Sequence, residues 1–210
     1  MFALQKELSF LVSMFISVFV IVDPFAVIPI FIGITEKYTS TERTALSAKS
    51  CVIATVILVL FCLLGSSIFK VFGITLEAFQ IAGGILLLLL GLAQLNAERR
   101  RVKKEEESES LDRDNISVFP LATPLLAGPG AISTVVLLSS KANNFWQMFL
   151  LIVAVALSLF CAFLLLRSAH LLLKVLGRTG LNLLTRIMGI LLVAIAIQFI
   201  INGVKTAFNL

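Results

Sequence analysis

The sequence predicts an all-α polytopic membrane protein in which six transmembrane helices form two inverted three-helix repeats, the first and fourth helices being broken at proline motifs. Three observations support this: the composition, the long apolar stretches, and two matching proline windows. The chain of 210 residues is 59% hydrophobic and 14% charged, with a mean hydropathy of +1.06. Soluble domains are about 45–50% apolar and about 25% charged, so the composition excludes a soluble enzyme and a disordered chain.

The apolar stretches have the length that a membrane requires. A hydrocarbon core of about 30 Å needs about 20 helical residues. Asp23 is the one charged residue inside the stretches that meet this requirement. These six predicted spans are residues 8–34, 50–69, 78–97, 115–140, 143–166 and 187–204.

The predicted spans divide the chain into three parts. Residues 1–97 hold the first repeat, residues 98–114 form a charged cytoplasmic linker, and residues 115–210 hold the second repeat. Thirteen of the 17 Lys and Arg residues fall on one side of the membrane, and positively charged loops stay in the cytoplasm. We therefore expect a multi-pass protein of the plasma (inner) membrane with both termini outside the cytoplasm. The other side holds Lys6, Lys70, Lys141 and Lys205.

Basic residues after the fifth predicted span recur at helical spacing. Arg167, His170, Lys174 and Arg178 would share one face if the fifth helix extended into the headgroup layer and ended near Gly177. Such a stripe contacts anionic membrane lipids or is a solvated helix face, and both interpretations are kept. The sequence lacks the basic patch with interleaved aromatic residues that predicts nucleic-acid binding. A homo-oligomer is left open.

All five prolines fall in two windows, residues 22–29 (VDPFAVIP) and residues 119–130 (FPLATPLLAGPG). These windows lie in the first and fourth predicted spans, which open the two halves of the chain. Each window has a helix-capping residue, a proline, four residues and a second proline. Superimposing them matches Asp23 with Thr123, Pro24 with Pro124, and Pro29 with Pro129.

Matching windows in two three-helix halves indicate an inverted repeat, because an odd number of spans reverses the orientation of the second half. Secondary transporters are built this way, and their substrates bind near mid-membrane at broken helices. The alternative is a pair of kinked packing helices, which membrane proteins tolerate.

Broken helices expose backbone groups that can bind a solute. Proline lacks an N–H, so each one leaves the carbonyl four residues earlier without its helical partner. The Asp-Pro and Thr-Pro pairs suit the N-cap and first position of a new half-helix, whose positive dipole end then points inward. The GPG segment at 128–130 offers a second such start, and the amides of Ala131 and Ile132 after it are predicted to hold a carboxylate.

Asp23 has two compatible interpretations. An ionisable residue inside a span is a functional candidate, here as a proton carrier or as the partner of a substrate ammonium. Asp23 is equally suited to be a plain N-cap for the helix that begins at Pro24.

The predicted site binds substrate and has no catalytic or metal-binding residue. We expect a small zwitterionic solute as the partner, no cofactor, and no enzymatic activity, with proton or sodium coupling left open. The predicted substrate-binding residues are Asp23, Pro24, Phe25, Pro29, Thr123, Pro124, Gly128, Pro129, Gly130, Ala131, Ile132 and Ser133.

Three segments carry a resemblance to a known family: residues 23–31 (DPFAVIPIF), 119–132 (FPLATPLLAGPGAI) and 186–192 (RIMGILL). Together they resemble the signature stretches of the MarC family of inner-membrane proteins, also called the neutral amino acid transporter (NAAT) family. The resemblance implies six helices, a plasma-membrane location, and transport of small neutral amino acids such as alanine and glycine. A secondary transporter is therefore the favoured function, and a channel or a lipid-handling membrane protein is the alternative.

Overall fold

A computed structural model describes residues 2–95, 117–142 and 144–208 of the chain, and the regular structure in them is entirely helical. The predicted linker at 98–114 lies outside these residues. Seven α-helices and one π-helix are present in the described part of the chain. In order they are α1 (Phe2–Val22), α2 (Pro24–Ile34), α3 (Ser40–Phe72), α4 (Leu76–Leu95), the π-helix (Ser117–Leu126), α5 (Pro129–Ser140), α6 (Phe145–Arg167) and α7 (Ala169–Ala207).

Five helical stretches in the described residues are long and apolar enough to cross a membrane. α1 and α2 together make one of them, and the fourth predicted span is not among the five. That segment is instead a π-helix followed by α5, an apolar helix of 12 residues. The five stretches are Glu7–Ile34, Ser40–Gly65, Leu76–Leu95, Phe145–Arg167 and Thr179–Ala207.

α3 begins ten residues before the predicted second span because a capping box fixes its start. The Thr39 side chain accepts a hydrogen bond from the Glu42 amide, and the Glu42 carboxylate accepts one from the Thr39 amide. The two bonds satisfy amides that a helix start leaves without partners. The helix ends at Gly73, whose φ of 65° is a conformation that favours glycine.

The predicted extension of the fifth helix through the basic stripe is wrong. α6 ends at Arg167 and a new helix starts at Ala169, with Ser168 between them as the cap. Gly177 (φ 64°) then interrupts α7 near the predicted end of the stripe. Burial lowers the pKa of His170, and the charges of Arg43 and Lys174 lower it further, which favours the neutral imidazole.

α4 and α7 pack closely as an antiparallel pair. A Cβ added to Gly84 would lie 2.9 Å from the Ala196 carbonyl oxygen, and one added to Gly91 would lie 2.9 Å from that of Gly189. At the other end, a Cβ on Gly203 would meet the Glu77 carbonyl oxygen at 3.1 Å. Lipid supplies no hydrophobic force between helices, so small residues that let backbones approach stabilise such pairs.

The remaining helices surround this pair. α5 contacts α4, and α2 contacts α7; α1 contacts α5 and α6, while the π-helix contacts α2 and α3. α3 also contacts α5 and α6, and α2 contacts α6. The buried core between them includes Ile28, Phe31, Leu58, Leu121 and Leu159. The outer surface is apolar as well, as a lipid-facing surface must be; α3 exposes Val52, Val56, Leu60 and Leu63 there.

Candidate functional site

The first helix break lies at Asp23, between α1 and α2. Its backbone is left-handed (φ 46°, ψ 62°), a conformation that is uncommon for residues other than glycine but tolerated by aspartate. Pro24 takes the first helical position, and Asp23 Oδ1 accepts a hydrogen bond from the Ala26 amide at 3.3 Å. The predicted N-cap role of Asp23 is confirmed.

The second carboxylate oxygen of Asp23 is held by a residue far away in the sequence. Gln94 on α4 donates from Nε2 to Asp23 Oδ2 at 2.6 Å, and Asp23 is only 4% exposed. Within the described residues, the other side-chain atom of Gln94, Oε1, is buried and has no hydrogen-bond partner. The break therefore contains a buried carboxylate and an amide whose acceptor is uncommitted.

The second helix break lies at Gly128, which is the N-cap of α5, with Pro129 at the first helical position. A Cβ on Gly128 would lie 2.5 Å from the Pro124 carbonyl oxygen, so a larger residue does not fit. Because glycine has no side chain, Gly128 forms no side-chain cap of the kind that Asp23 provides. The first-turn amides of Gly130 and Ala131 therefore have no side-chain cap.

Two predictions about this segment are wrong. Thr123 and Pro124 lie inside the π-helix, so they do not start a half-helix; the proline that takes the first position of a helix, as Pro24 does in α2, is Pro129. The Ile132 amide does not await an anion, because it donates to the Gly128 carbonyl at 3.0 Å as the first regular bond of α5.

The structure separates the predicted site residues by exposure. Pro29 lies inside α2, which continues through it, and faces outward. Pro124 and Pro129 are exposed as well, whereas Phe25, Thr123 and Ile132 are half-buried. The buried members are Asp23, Pro24, Gly128, Gly130, Ala131 and Ser133.

One face of α4 brings the two breaks together. Gln94 bonds to Asp23 of the first break, while the Leu87 side chain lies where a Cβ on Gly130 of the second break would be. That same Cβ position is 3.6 Å from Ile21, two residues before Asp23. Gln80, Leu87 and Gln94 are seven residues apart and therefore share a helix face. The buried carboxylate and the uncapped amides thus meet the same side of one helix.

A cavity of about 230 Å³ lies next to the predicted site. It lies among α1, α4, α5 and α7, with Ile21 and Thr134 at its boundary toward the breaks, and none of the 12 predicted residues lines it. Sequence patterns alone did not predict this cavity, although the shared helix face of Gln80 and Gln94 follows from their spacing. Its polar lining consists of Ser17, Gln80, Thr134, Lys141 and Asn202.

The chemistry available at the breaks is binding chemistry. A buried carboxylate attracts a cation or a proton, and uncapped amides at a helix start attract an anion. Among the residues that the structure describes, no three His, Cys, Asp or Glu side chains come together as a metal site would require.

Comparison with known proteins gives consistent matches over nearly the whole chain. A family model described as "MarC family integral membrane protein" matches residues 8–208. A UPF0056 membrane protein of Methanocaldococcus jannaschii is 42% identical over 202 residues, covering 96% of this chain and 98% of the relative. The UPF0056 membrane protein YhcE of Escherichia coli is 39% identical over 196 residues, covering 92% and 91%. No solved structure matches the chain.

Proposed function

We propose that this chain, which belongs to the MarC family of integral membrane proteins, is a secondary transporter of a small neutral amino acid or a similar zwitterion. The names of its relatives say only that they are membrane proteins. The substrate class is therefore inferred from the chemistry of the two helix breaks. On this proposal the chain is a transporter rather than an enzyme.

One observation carries the proposal: a buried carboxylate at one helix start and uncapped amides at the other lie on the same face of α4. Asp23 suits the ammonium of a zwitterion or a coupling proton. The amides of Gly130 and Ala131, at the positive end of the α5 dipole, suit the carboxylate. The Asp23–Gln94 hydrogen bond would open when an ammonium takes its place.

We also propose that the halves form an inverted repeat, in which the π-helix and α5 together make the broken fourth span and bring the number of spans to six. The contacts support this pairing. The repeat would exchange α1 with the π-helix, α2 with α5, α3 with α6, and α4 with α7. Under this exchange the contact α1–α6 becomes π–α3, and α2–α6 becomes α5–α3. In the same way α2–α7 becomes α5–α4, and α1–α5 becomes π–α2, so these eight helix contacts form four matching pairs. The α4–α7 and α3–α6 contacts map onto themselves, as they would about a two-fold axis.

The transport proposal is tested by counterflow in proteoliposomes. Purified protein is reconstituted with unlabelled alanine inside, and radiolabelled alanine or glycine is added outside. A secondary transporter accumulates label transiently above equilibrium, because exchange is faster than net loss. Equilibration without overshoot would favour a channel, and background uptake with scrambling of a fluorescent lipid would favour a lipid-handling protein; either result contradicts the proposal.

A further inference from the structure

We infer that the cavity among α1, α4, α5 and α7 is a separate binding site for small amino-acid-like carboxylates, with Gln80 as its main hydrogen-bonding group. Lys141 stands at the far end of α5 from the Gly128 break, and Thr134 lies one turn beyond the start of α5. The existence of this binding site does not depend on the proposed function. Only its use as an intermediate site during transport rests on that function.

Gln80 is the first reason. Its side chain is only 8% exposed, lines the cavity, and forms no hydrogen bond with any other described residue. Buried polar groups are nearly always paired, and the partner of Gln80 is not a protein group among the described residues. Gln80 therefore presents an amide donor and an amide acceptor to the cavity. A ligand that binds there would satisfy it.

The charge of the cavity selects the kind of ligand. Among the described residues that line the cavity, Lys141 is the one that carries a charge, and none of them is a carboxylate. The lysine and the Gln80 NH₂ group are both donors, and they therefore favour a carboxylate. Apolar side chains such as Ile195 and Phe199 complete the wall, so the rest of the ligand should be short and apolar.

The two hydroxyl groups of the cavity add a preference for an amine. Ser17 Oγ already donates to the Ser13 carbonyl at 2.8 Å, and Thr134 Oγ1 donates to the Gly130 carbonyl at 2.9 Å. Because both hydroxyl protons already form hydrogen bonds to backbone carbonyls, the hydroxyl oxygens can only accept, and they favour a donor such as an ammonium group. A volume of about 230 Å³ holds a solute of this size, since water occupies roughly 30 Å³ in the liquid.

The experiment measures equilibrium binding by titration calorimetry on the purified full-length protein in detergent. Three probes of similar length are compared: alanine, propionate, which lacks the amine, and ethylamine, which lacks the carboxylate. We expect alanine to bind most tightly, propionate more weakly and ethylamine not at all. Gln80→Leu should weaken alanine binding by at least tenfold, and Lys141→Gln should weaken it by several-fold.

Two further variants keep the result interpretable. Lys70→Gln removes another exposed lysine that does not line the cavity, so binding should stay unchanged. Gln80→Glu places a negative charge opposite the ligand carboxylate and should reverse the preference, so that ethylamine binds and propionate does not. The inference is overturned if wild-type protein binds neither carboxylate saturably, if ethylamine binds as tightly as propionate, or if both Gln80 variants bind alanine like the wild type. Counterflow that persists alongside any of these results leaves the transport proposal standing.

Discussion

Asp23 combines three constraints in one residue. It takes a left-handed backbone conformation, caps α2, and accepts a short hydrogen bond from Gln94. The sequence predicts the cap, because Asp-Pro is a typical helix start. It cannot predict the partner, because Gln94 lies 71 positions away and only the packing of α4 brings it there.

The substitution Asp23→Asn separates the charge from the structure. The Oδ1 atom of the introduced amide would still cap the Ala26 amide, and Gln94 could rotate its own side-chain amide so that the now unpaired Oε1 accepts from the new NH₂ group. We therefore expect Asp23→Asn to fold like wild type and to lose at least tenfold in counterflow, since hydrogen bonds to charged groups contribute about 1.5–3 kcal/mol.

Two further variants show whether the loss of counterflow comes from the missing charge or from a damaged structure. Glu36→Gln also removes one carboxylate, but from an exposed position next to α2, and should transport normally. Asp23→Ala removes the cap and leaves Gln94 unpaired, so its unfolding midpoint should fall by the equivalent of about 1–3 kcal/mol. Normal counterflow by Asp23→Asn would show that this carboxylate has only a structural role.

The two helix starts show how far a sequence pattern specifies an element. Both have proline at the first helical position, and the sequence contains that signal. The windows contain five prolines, however, and local spacing does not say which ones begin helices. Close packing decides: Gly128 lies against the Pro124 carbonyl and Gly130 against Leu87, and both contacts exclude a side chain. A tertiary contact therefore overrides the apparent alignment of Thr123 with Asp23.

The α4–α7 pair gives the prediction at the level of elements. Gly91→Val places methyl groups against the Gly189 carbonyl and Val193, which are backbone and packed side chain rather than open space. We expect a loss of about 1–3 kcal/mol from overpacking, seen as a lower unfolding midpoint in detergent. Gly33→Ala is the matched control, because a Cβ there meets nothing within 4 Å. Equal stability of the two variants would contradict close packing of α4 on α7.

At the scale of the whole molecule, composition alone indicates a membrane protein, and five of the six predicted stretches are long apolar helical segments, the first of which consists of α1 and α2. The exception is 115–140, where hydropathy is high but two prolines lie in the π-helix and a third begins α5. Hydropathy counts apolar residues and is insensitive to whether the backbone winds regularly. Hydropathy therefore predicts the length of this span, whereas the proline window predicts that its helix is broken.

The proposed orientation is tested by reporter fusions. Alkaline phosphatase, which folds only outside the cytoplasm, should be active when fused after Leu210, and green fluorescent protein at the same position should be dark. Within residues 98–114 the two reporters should behave in the opposite way, since the excess of Lys and Arg holds that side in the cytoplasm. Fluorescence at the C terminus would reverse the topology, and with it the side on which Lys141 lies.

The heptad on α4 has one more consequence. Gln80 and Gln94 lie about 21 Å apart along the helix. Leu87 lies midway between them, is 1% exposed, and packs against Gly130. In a transporter, a solute that moves from the cavity to Asp23 must pass the Leu87 side chain, which blocks the direct path along α4. Gly130 has no side chain to withdraw, so the leucine, or the helix that carries it, is the part that has to move.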